Sequence, residues 1–416
     1  MRKLIFRILF LIVLVVLIKK TTFAQSLYTQ QPTPGEISIM ASTPFPEGVE
    51  PNLKGYQEIM DCGFNLVLTS GSVAYVERQF RILDNLKLKF IIYSPYLKTD
   101  TREEYIQHLS RNKHFAGWLL QDEPKFESLN TLQLQYRQLQ DSDPDNLIYI
   151  NLVGQLHKTF TGSYRSLYSY LEHIEDMFKP SLWSFDFYPI LKRNGKILAE
   201  YEQFYTALEA FRKISKKTNR PFWAFCESMA YTTDSYSRPA ATEAYLRFEA
   251  FSALAYGAQG IVYWTYGMRE SNDSEKYISA LVNLNGKKTE AWNAAKKVNK
   301  EIKKYNDVFY GCNVTDLRHT GDKLYSGTRK LSGEIGAFKM VNSEKAGVVV
   351  SCIENNGSKF IVIVSRDVFN KQKIRLELIP NKNLQDITSK NNKTYNWRED
   401  INLTLEKGGY VIFKEL

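Results

Sequence analysis

Eight short apolar runs, separated by longer segments of helical period, restrict this chain more than any other feature of its sequence. The runs are Ile37 to Ala41, Asn65 to Thr69, Lys89 to Tyr93, Phe115 to Leu120, Leu147 to Leu152, Leu182 to Phe187, Phe222 to Cys226 and Gly260 to Thr265. Each has the length of a strand. Between them, Leu53 to Cys62, Tyr75 to Asn85, Arg102 to Arg111, Leu132 to Gln140, Tyr201 to Thr218 and Ala240 to Tyr256 carry the helical period, and Glu290 to Tyr305 closes the series. Strands alternating with helices imply parallel strands joined by crossovers, because parallel neighbours cannot be linked by a tight hairpin. Eight such units over roughly 270 residues predict a closed (β/α)8 barrel, whose usual size is about 250 residues. An open doubly wound sheet would want a Gly-rich phosphate turn after its first strand, and Ala41-Ser42-Thr43-Pro44 is not one.

Past Asp307 the helical period disappears. Val348 to Ile353 and Lys359 to Ser365 flank Asn355-Asn356-Gly357, a strong hairpin signal. With Ile374 to Leu378, Ile401 to Leu405 and Tyr410 to Phe413 they predict a C-terminal antiparallel β-sandwich. The expected domains are thus a leader over 1–24, a barrel over 25–308 and a sandwich over 309–416.

The leader follows from charge and hydropathy. Arg2, Lys3 and Arg7 precede or interrupt an apolar run from Leu4 to Ile18, and Thr22-Phe23-Ala24 offers small residues for cleavage. This pattern predicts a secretory signal peptide and a secreted or periplasmic protein. Ile8 to Ile18 is too short for a comfortable membrane span, so a membrane is contacted only if the leader stays uncleaved. Five basic residues of this segment, Arg2, Lys3, Arg7, Lys19 and Lys20, account for half of the net charge of +10. The remaining charge holds no basic block of the kind that binds nucleic acid. Four cysteines are too few for a disulfide scaffold. Cys62 and Cys226 sit in apolar contexts and read as buried thiols, while Cys312 and Cys352 are free to pair in an exported protein.

The five histidines make no metal-ligand spacing, and no His-Glu-x-x-His, nucleophile elbow or phosphate loop occurs, so neither a metal nor a cofactor is expected. Hydrolytic chemistry must then rest on carboxylates. Strand four ends in Asp122-Glu123-Pro124, and the proline, which has no N–H, stops the strand there. Strand seven runs out at Cys226-Glu227-Ser228, strand six at Asp186-Phe187-Tyr188-Pro189, and strand eight at Tyr263-Trp264-Thr265. Catalytic groups of such barrels collect at the strands' C-terminal ends. Glycoside hydrolysis needs two carboxyl groups across the bond to be cut, and an aromatic face suits a sugar ring. Tyr93, Tyr96, Asn151 and Asp186 are further rim candidates, and Tyr231 and Tyr266 line the cleft or lie over it, whereas Trp118, Trp183 and Trp223 lie within or beside strands and read as core.

With these residues in view, the chain resembles the clan A retaining glycoside hydrolases, which carry an acid/base Glu on strand four and a nucleophile Glu on strand seven. Ala253-Leu254-Ala255-Tyr256-Gly257-Ala258-Gln259-Gly260-Ile261-Val262-Tyr263-Trp264 resembles the last helix-to-strand crossing of the family-42 β-galactosidases. The resemblance covers about residues 35–308. It implies Glu123 as acid/base, Glu227 as nucleophile, Tyr188 as a hydrogen-bond partner of the nucleophile and Trp264 as the floor under the reacting sugar. The clan usually has Asn just before the acid/base; here that position is Asp122, which can still accept a hydrogen bond from a sugar hydroxyl. Its charge is expected to raise the pKa of Glu123, as is that of Glu227. The function expected is an exported glycosidase acting on an oligo- or polysaccharide. A barrel that binds glycans without cutting them is the alternative.

Overall fold

The computed structural model describes residues 32–416, residue 84 excepted, so the expected leader lies outside the described residues. The barrel strands are β1 Ser38–Ser42, β2 Leu66–Ser70, β3 Lys89–Tyr93, β4 Phe115–Asp122, β5 Ile148–Val153, β6 Trp183–Asp186, β7 Phe222–Glu227 and β8 Gly260–Trp264. Each is followed by a helix: α1 Leu53–Asp61, α2 Val73–Leu83, α3 Arg102–Leu109, α4 Leu129–Ser142, α5 Leu167–Phe178, α6 Tyr201–Thr218, α7 Glu243–Ala255 and α8 Glu290–Lys304. All neighbours in the ring are parallel, and β1 pairs with both β2 and β8, which closes it.

Closure divides every strand into inward and outward positions two residues apart. Met40, Leu66, Ile91, Leu119, Tyr149, Trp223, Phe225 and Val262 fill the interior. The outward set packs under the helices in a separate cluster. Trp118, Trp183 and Trp223 are completely buried, as the sequence suggested. Gly260 stands beside Trp223, where a Cβ would fall 2.4 Å from the indole.

Over the mouth stands an element that the sequence did not reveal. Loops after β6, β7 and β8 contribute Ile190–Arg193, Lys196–Ala199, Ala230–Thr232, Ser237–Arg238 and Lys276–Ser279 to a five-stranded antiparallel sheet. Its strands are two to four residues long and leave little periodic signal.

The C-terminal part is a sandwich. One sheet has six strands in the order β9 Asn313–His319, β11 Val348–Asn355, β12 Ser358–Ser365, β17 Tyr410–Glu415, β14 Asn383–Asp386 and β15 Thr394–Asn396. The other holds β10 Phe338–Ser343, β13 Gln372–Leu378 and β16 Ile401–Leu405. Asn356 and Gly357, both at positive φ, make the two-residue turn between β11 and β12. The larger sheet is buried on both faces. Val348, Val350, Ile361 and Ile363 meet the small sheet, while Val349, Ile353, Val362 and Val364 join the barrel's core. Phe251 of α7 stacks on Tyr410 with ring centres 3.6 Å apart, and Ser351 Oγ donates to the Ala255 carbonyl at 2.7 Å. Cys312 and Cys352 do not pair; all four cysteines are free thiols. The reason is placement: Cys352 points into the sandwich core, and Cys312 packs against the barrel's underside.

Gly117 gives the fold a sharp test. It sits in β4 at φ +147°, and an added Cβ would lie 2.6 Å from the Leu147 carbonyl oxygen, which is backbone and cannot step aside. Gly117→Ala is expected to cost about 3 kcal/mol. A fall in melting temperature of several degrees should be seen; an unchanged melting curve would show that β4 and β5 are not seated this way.

Candidate active site

The inward rows of β5, β7 and β8 lead directly to the site. Tyr149 is followed two residues on by Asn151, Trp223 and Phe225 by Glu227, and Val262 by Trp264. On β4 the same count would present Gln121. A bulge prevents this: Leu119 faces Tyr149, but Asp122 faces Asn151, so Leu120 is the extra residue. The bulge turns Asp122 into the mouth. Glu123 follows in the left-handed region at φ +40°, its N–H bonded to the Asn151 carbonyl at 3.0 Å.

Asn151 is the hub of the acid side. Its buried amide donates to Asp122 Oδ1 at 2.9 Å and to Asp186 Oδ1 at 3.0 Å, while Ser184 Oγ donates to its carbonyl oxygen at 2.8 Å. Asp186 stands against Glu123, a contact that lowers the Glu123 pKa and raises that of Asp186. Burial, then the charges of Asp122 and Glu275, raise the Glu123 pKa, and the bond to Asp186 pulls it back. Glu227, expected to add to this, is not among the charges that act. Asp186 is raised further still, by burial and then by Glu123 and Asp122. Desolvation raises the Asp122 pKa, and the hydrogen bond from Asn151 opposes that rise.

The nucleophile side is different. Glu227 is buried, and its Oε1 accepts from the Met229 N–H at 3.1 Å. Ser228 and Met229 N–H both bond the Trp264 carbonyl, which ties the ends of β7 and β8 together. Oε2 has no hydrogen-bond partner among the described residues, and Arg238 Nε stands 3.9 Å away, likewise unbonded. The Arg238 guanidinium is held by the carbonyls of Tyr188 and Ile190. Burial raises the Glu227 pKa; Arg238 is the first influence that opposes it. Behind the strand, Glu249 of α7 accepts the Glu227 N–H at 2.8 Å, and its burial pushes its own pKa up to about 8.

Trp264 is boxed by tyrosines. Tyr188 lies nearly parallel to it at 6.0 Å, and Tyr231 and Tyr277 meet it edge-on at 5.6 and 6.2 Å. The hydrogen bond expected between Tyr188 and Glu227 is not made among the described residues. The Tyr188 ring is occupied with Trp264 and its backbone with Arg238, and the guanidinium fills the place beside the carboxylate. Tyr93, half-buried, stands near Asp122 at the end of β3. Tyr266 lies in the core, where its hydroxyl accepts from Trp292 Nε1, and Tyr96 is exposed on the outer rim against Tyr105. Sequence reasoning missed Arg238, Glu249 and Glu275. Glu249 had a signal, as the one acid in the buried stretch Leu246–Ala255. No three His, Cys, Asp or Glu side chains among the described residues are arranged to hold a metal ion.

Barrel, mouth and carboxylates define a class: a clan A (β/α)8 glycoside hydrolase of retaining type, resembling family 42. The family model described as Beta-galactosidase matches residues 106–305, from within α3 to the end of α8. Among solved structures, a GH42 β-galactosidase from G. stearothermophilus superposes with a TM-score of 0.61 at 10% identity, covering 92% of this chain and 99% of its own. The β-galactosidase of Bacillus circulans sp. alkalophilus gives 0.61 at 8% identity, over 94% of this chain and 100% of its own. An α-amylase from Anoxybacillus gives 0.53 at 11% identity, over 92% and 98%. At these identities the structures speak for the fold. No curated protein sequence matches the chain.

Glu249 yields a test of this arrangement. Its folded pKa, about 8, lies above the ordinary carboxylate value, so the folded state binds the proton more tightly. Stability from this group is complete below the ordinary value and is lost as pH rises through about 8. Glu249→Gln keeps an acceptor for the Glu227 N–H but cannot ionise. Melting temperatures of variant and wild type should therefore diverge across that interval, with the variant gaining as pH rises. Parallel curves would mean that Glu249 is not buried behind β7.

Proposed function

We propose that this is an exported glycosidase that cleaves β-galactosides of an oligo- or polysaccharide, with Glu123 as acid/base and Glu227 as nucleophile. The observation that carries the assignment of roles is the contrast in surroundings. Asp122 and Glu275 set negative charge around Glu123, and together with burial they raise its pKa, as suits a proton donor. Glu227 is raised by burial and by Glu249 and Glu275, but unlike Glu123 it has a guanidinium, that of Arg238, and the Met229 N–H to oppose the rise. Export rests on the leader-like N-terminal sequence, and galactose on the family model and on the β-galactosidases of similar fold.

In the first step Glu227 attacks the anomeric carbon, the glycosidic C–O bond breaks, and Glu123 passes its proton to the departing oxygen. In the second, Glu123 takes a proton from water, whose oxygen displaces Glu227 and restores the original configuration. Asp122, held by Asn151, accepts from a sugar hydroxyl, and Trp264 supports the ring.

Two variants separate the roles. Glu227→Ala should abolish the first step for every substrate, and added azide should give a glycosyl azide of inverted configuration. Glu123→Ala should spare the first step on a dinitrophenyl glycoside, and azide should give the retained product. Product configuration by NMR decides: swapped configurations exchange the roles, and undiminished activity in either variant places the chemistry elsewhere.

The pH profile gives an independent check. Activity should fall as pH rises through the raised Glu123 pKa, because the proton donor is lost. Asp122→Asn and, more weakly, Glu275→Gln should move that basic limb to lower pH, by up to about one unit. A limb that stays in place in both variants means that these charges do not set it.

A further inference from the structure

The mouth of the barrel is walled on one half and open on the other. The five-stranded rim sheet comes from the loops after β6, β7 and β8. Above β1, β2 and β3 lies a groove of about 600 Å3. Ligand-sized sites span about 300–1,000 Å3, so this groove has room for more than the reacting sugar alone. It begins at Asp122 and Trp264, inside the site, and continues past Tyr93 to Tyr75 and Glu50.

Both walls of the groove are fixed. Gly71, just past β2, has φ +146°, and a Cβ there would fall 2.5 Å from the Tyr75 ring, so the ring packs directly on the backbone. Opposite, the segment after β1 is tied to the loop after β8: Gly267 N–H donates to the Thr43 carbonyl at 2.7 Å and Glu47 N–H to the Met268 carbonyl at 2.9 Å. A Cβ on Gly267 would lie 2.3 Å from the Phe45 carbonyl carbon, so this contact admits only glycine. The half-buried ring of Tyr93 offers a face to a sugar, while Tyr75, packed on Gly71 with the Arg78 guanidinium 5.4 Å from its ring centre, forms the far wall. Arg78 pairs with Glu50 at 2.5 Å, and the remaining lining carboxylates, Glu47 and Asp122, outnumber Arg269, which disfavours uronates and sulfated sugars.

The direction of the chain follows from Glu123. Its N–H is bonded to the Asn151 carbonyl of β5 at 3.0 Å and its carboxyl is turned to Asp186 of β6, so the proton donor stands on the side away from β1–β3. The leaving group departs over the donor. The open groove therefore receives the other side of the substrate.

We propose that the groove over β1–β3 is a second glycone subsite, which binds a neutral hexose on the non-reducing side of the sugar being cleaved. The chain would then act on disaccharide or longer units rather than trim single terminal sugars. This rests on the proposed catalytic reading.

The test compares paired 4-nitrophenyl β-glycosides, mono- against β-1,4-linked disaccharide, for galactose, glucose, mannose and xylose. The leaving group is the same within each pair, so any difference reports the groove. For the accepted sugar, kcat/KM should be about tenfold or more higher on the disaccharide. Ser70, exposed at the end of β2, lines the groove away from the catalytic groups. Ser70→Trp should remove that advantage and leave the monosaccharide rate unchanged; Tyr75→Ala should reduce the advantage. Equal rates on mono- and disaccharide, or a Ser70→Trp variant that keeps the advantage, overturn the subsite. If the wild type cleaves no pair, calorimetry with the matching free trisaccharides takes over. Binding that Ser70→Trp abolishes upholds the groove and defeats the catalytic reading; no binding by the wild type defeats both.

Discussion

Pairing of β1 with β8 is the constraint on which the site depends. Once the ring is closed, each strand has one inward row, and the last inward residue of each row must stand at the mouth. Glu227, Trp264 and Asn151 reach the mouth for that reason alone. The hydrogen bonds from Ser228 and Met229 to the Trp264 carbonyl then fix the carboxylate relative to the aromatic floor. A catalytic geometry set by strand register tolerates little error, which suits chemistry that fails when groups stray by an ångström.

Electrostatics divides this rim into two halves with opposite character. Around Asn151, three carboxyls crowd together and must share protons to coexist. Around Glu227, a guanidinium pinned by two backbone carbonyls offsets part of the cost of burying a charge. The replacement of the usual Asn by Asp at 122 adds to the negative half only. It leaves the surroundings of Glu227 as they are, and so acts on Glu123 without acting on Glu227.

Much of this was legible in the residues, and the exceptions have physical causes. The alternation Trp223-Phe225-Glu227 carries its own period, so both the strand and its terminal acid could be read. Trp264 and the barrel itself follow from the same kind of pattern. The direction of Asp122 could not be read, because the bulge at Leu120 reverses the count and nothing in an apolar run marks which residue will be extra. Arg238 was hidden for another reason: it sits on a two-residue strand inside a loop, where neither period nor composition distinguishes it from other surface arginines. The Tyr188 hydrogen bond, inferred from resemblance, is not made among the described residues, and the nearest cation to the Glu227 carboxylate is Arg238 at 3.9 Å.

The rim sheet has a consequence for how such a barrel can change. Its five strands come from three separate loops that hydrogen-bond to one another, and they hold both Arg238 and two of the tyrosines around Trp264. An insertion in any one of these loops would disturb the strands of the other two, and with them the rings around Trp264 and the guanidinium beside Glu227. The loop after β1 is tied to the loop after β8, but among the described residues the loops after β2 and β3 join no shared sheet. Divergence toward new saccharides is thus channelled to one side of the molecule, where loops can be exchanged while the chemical half stays as it is.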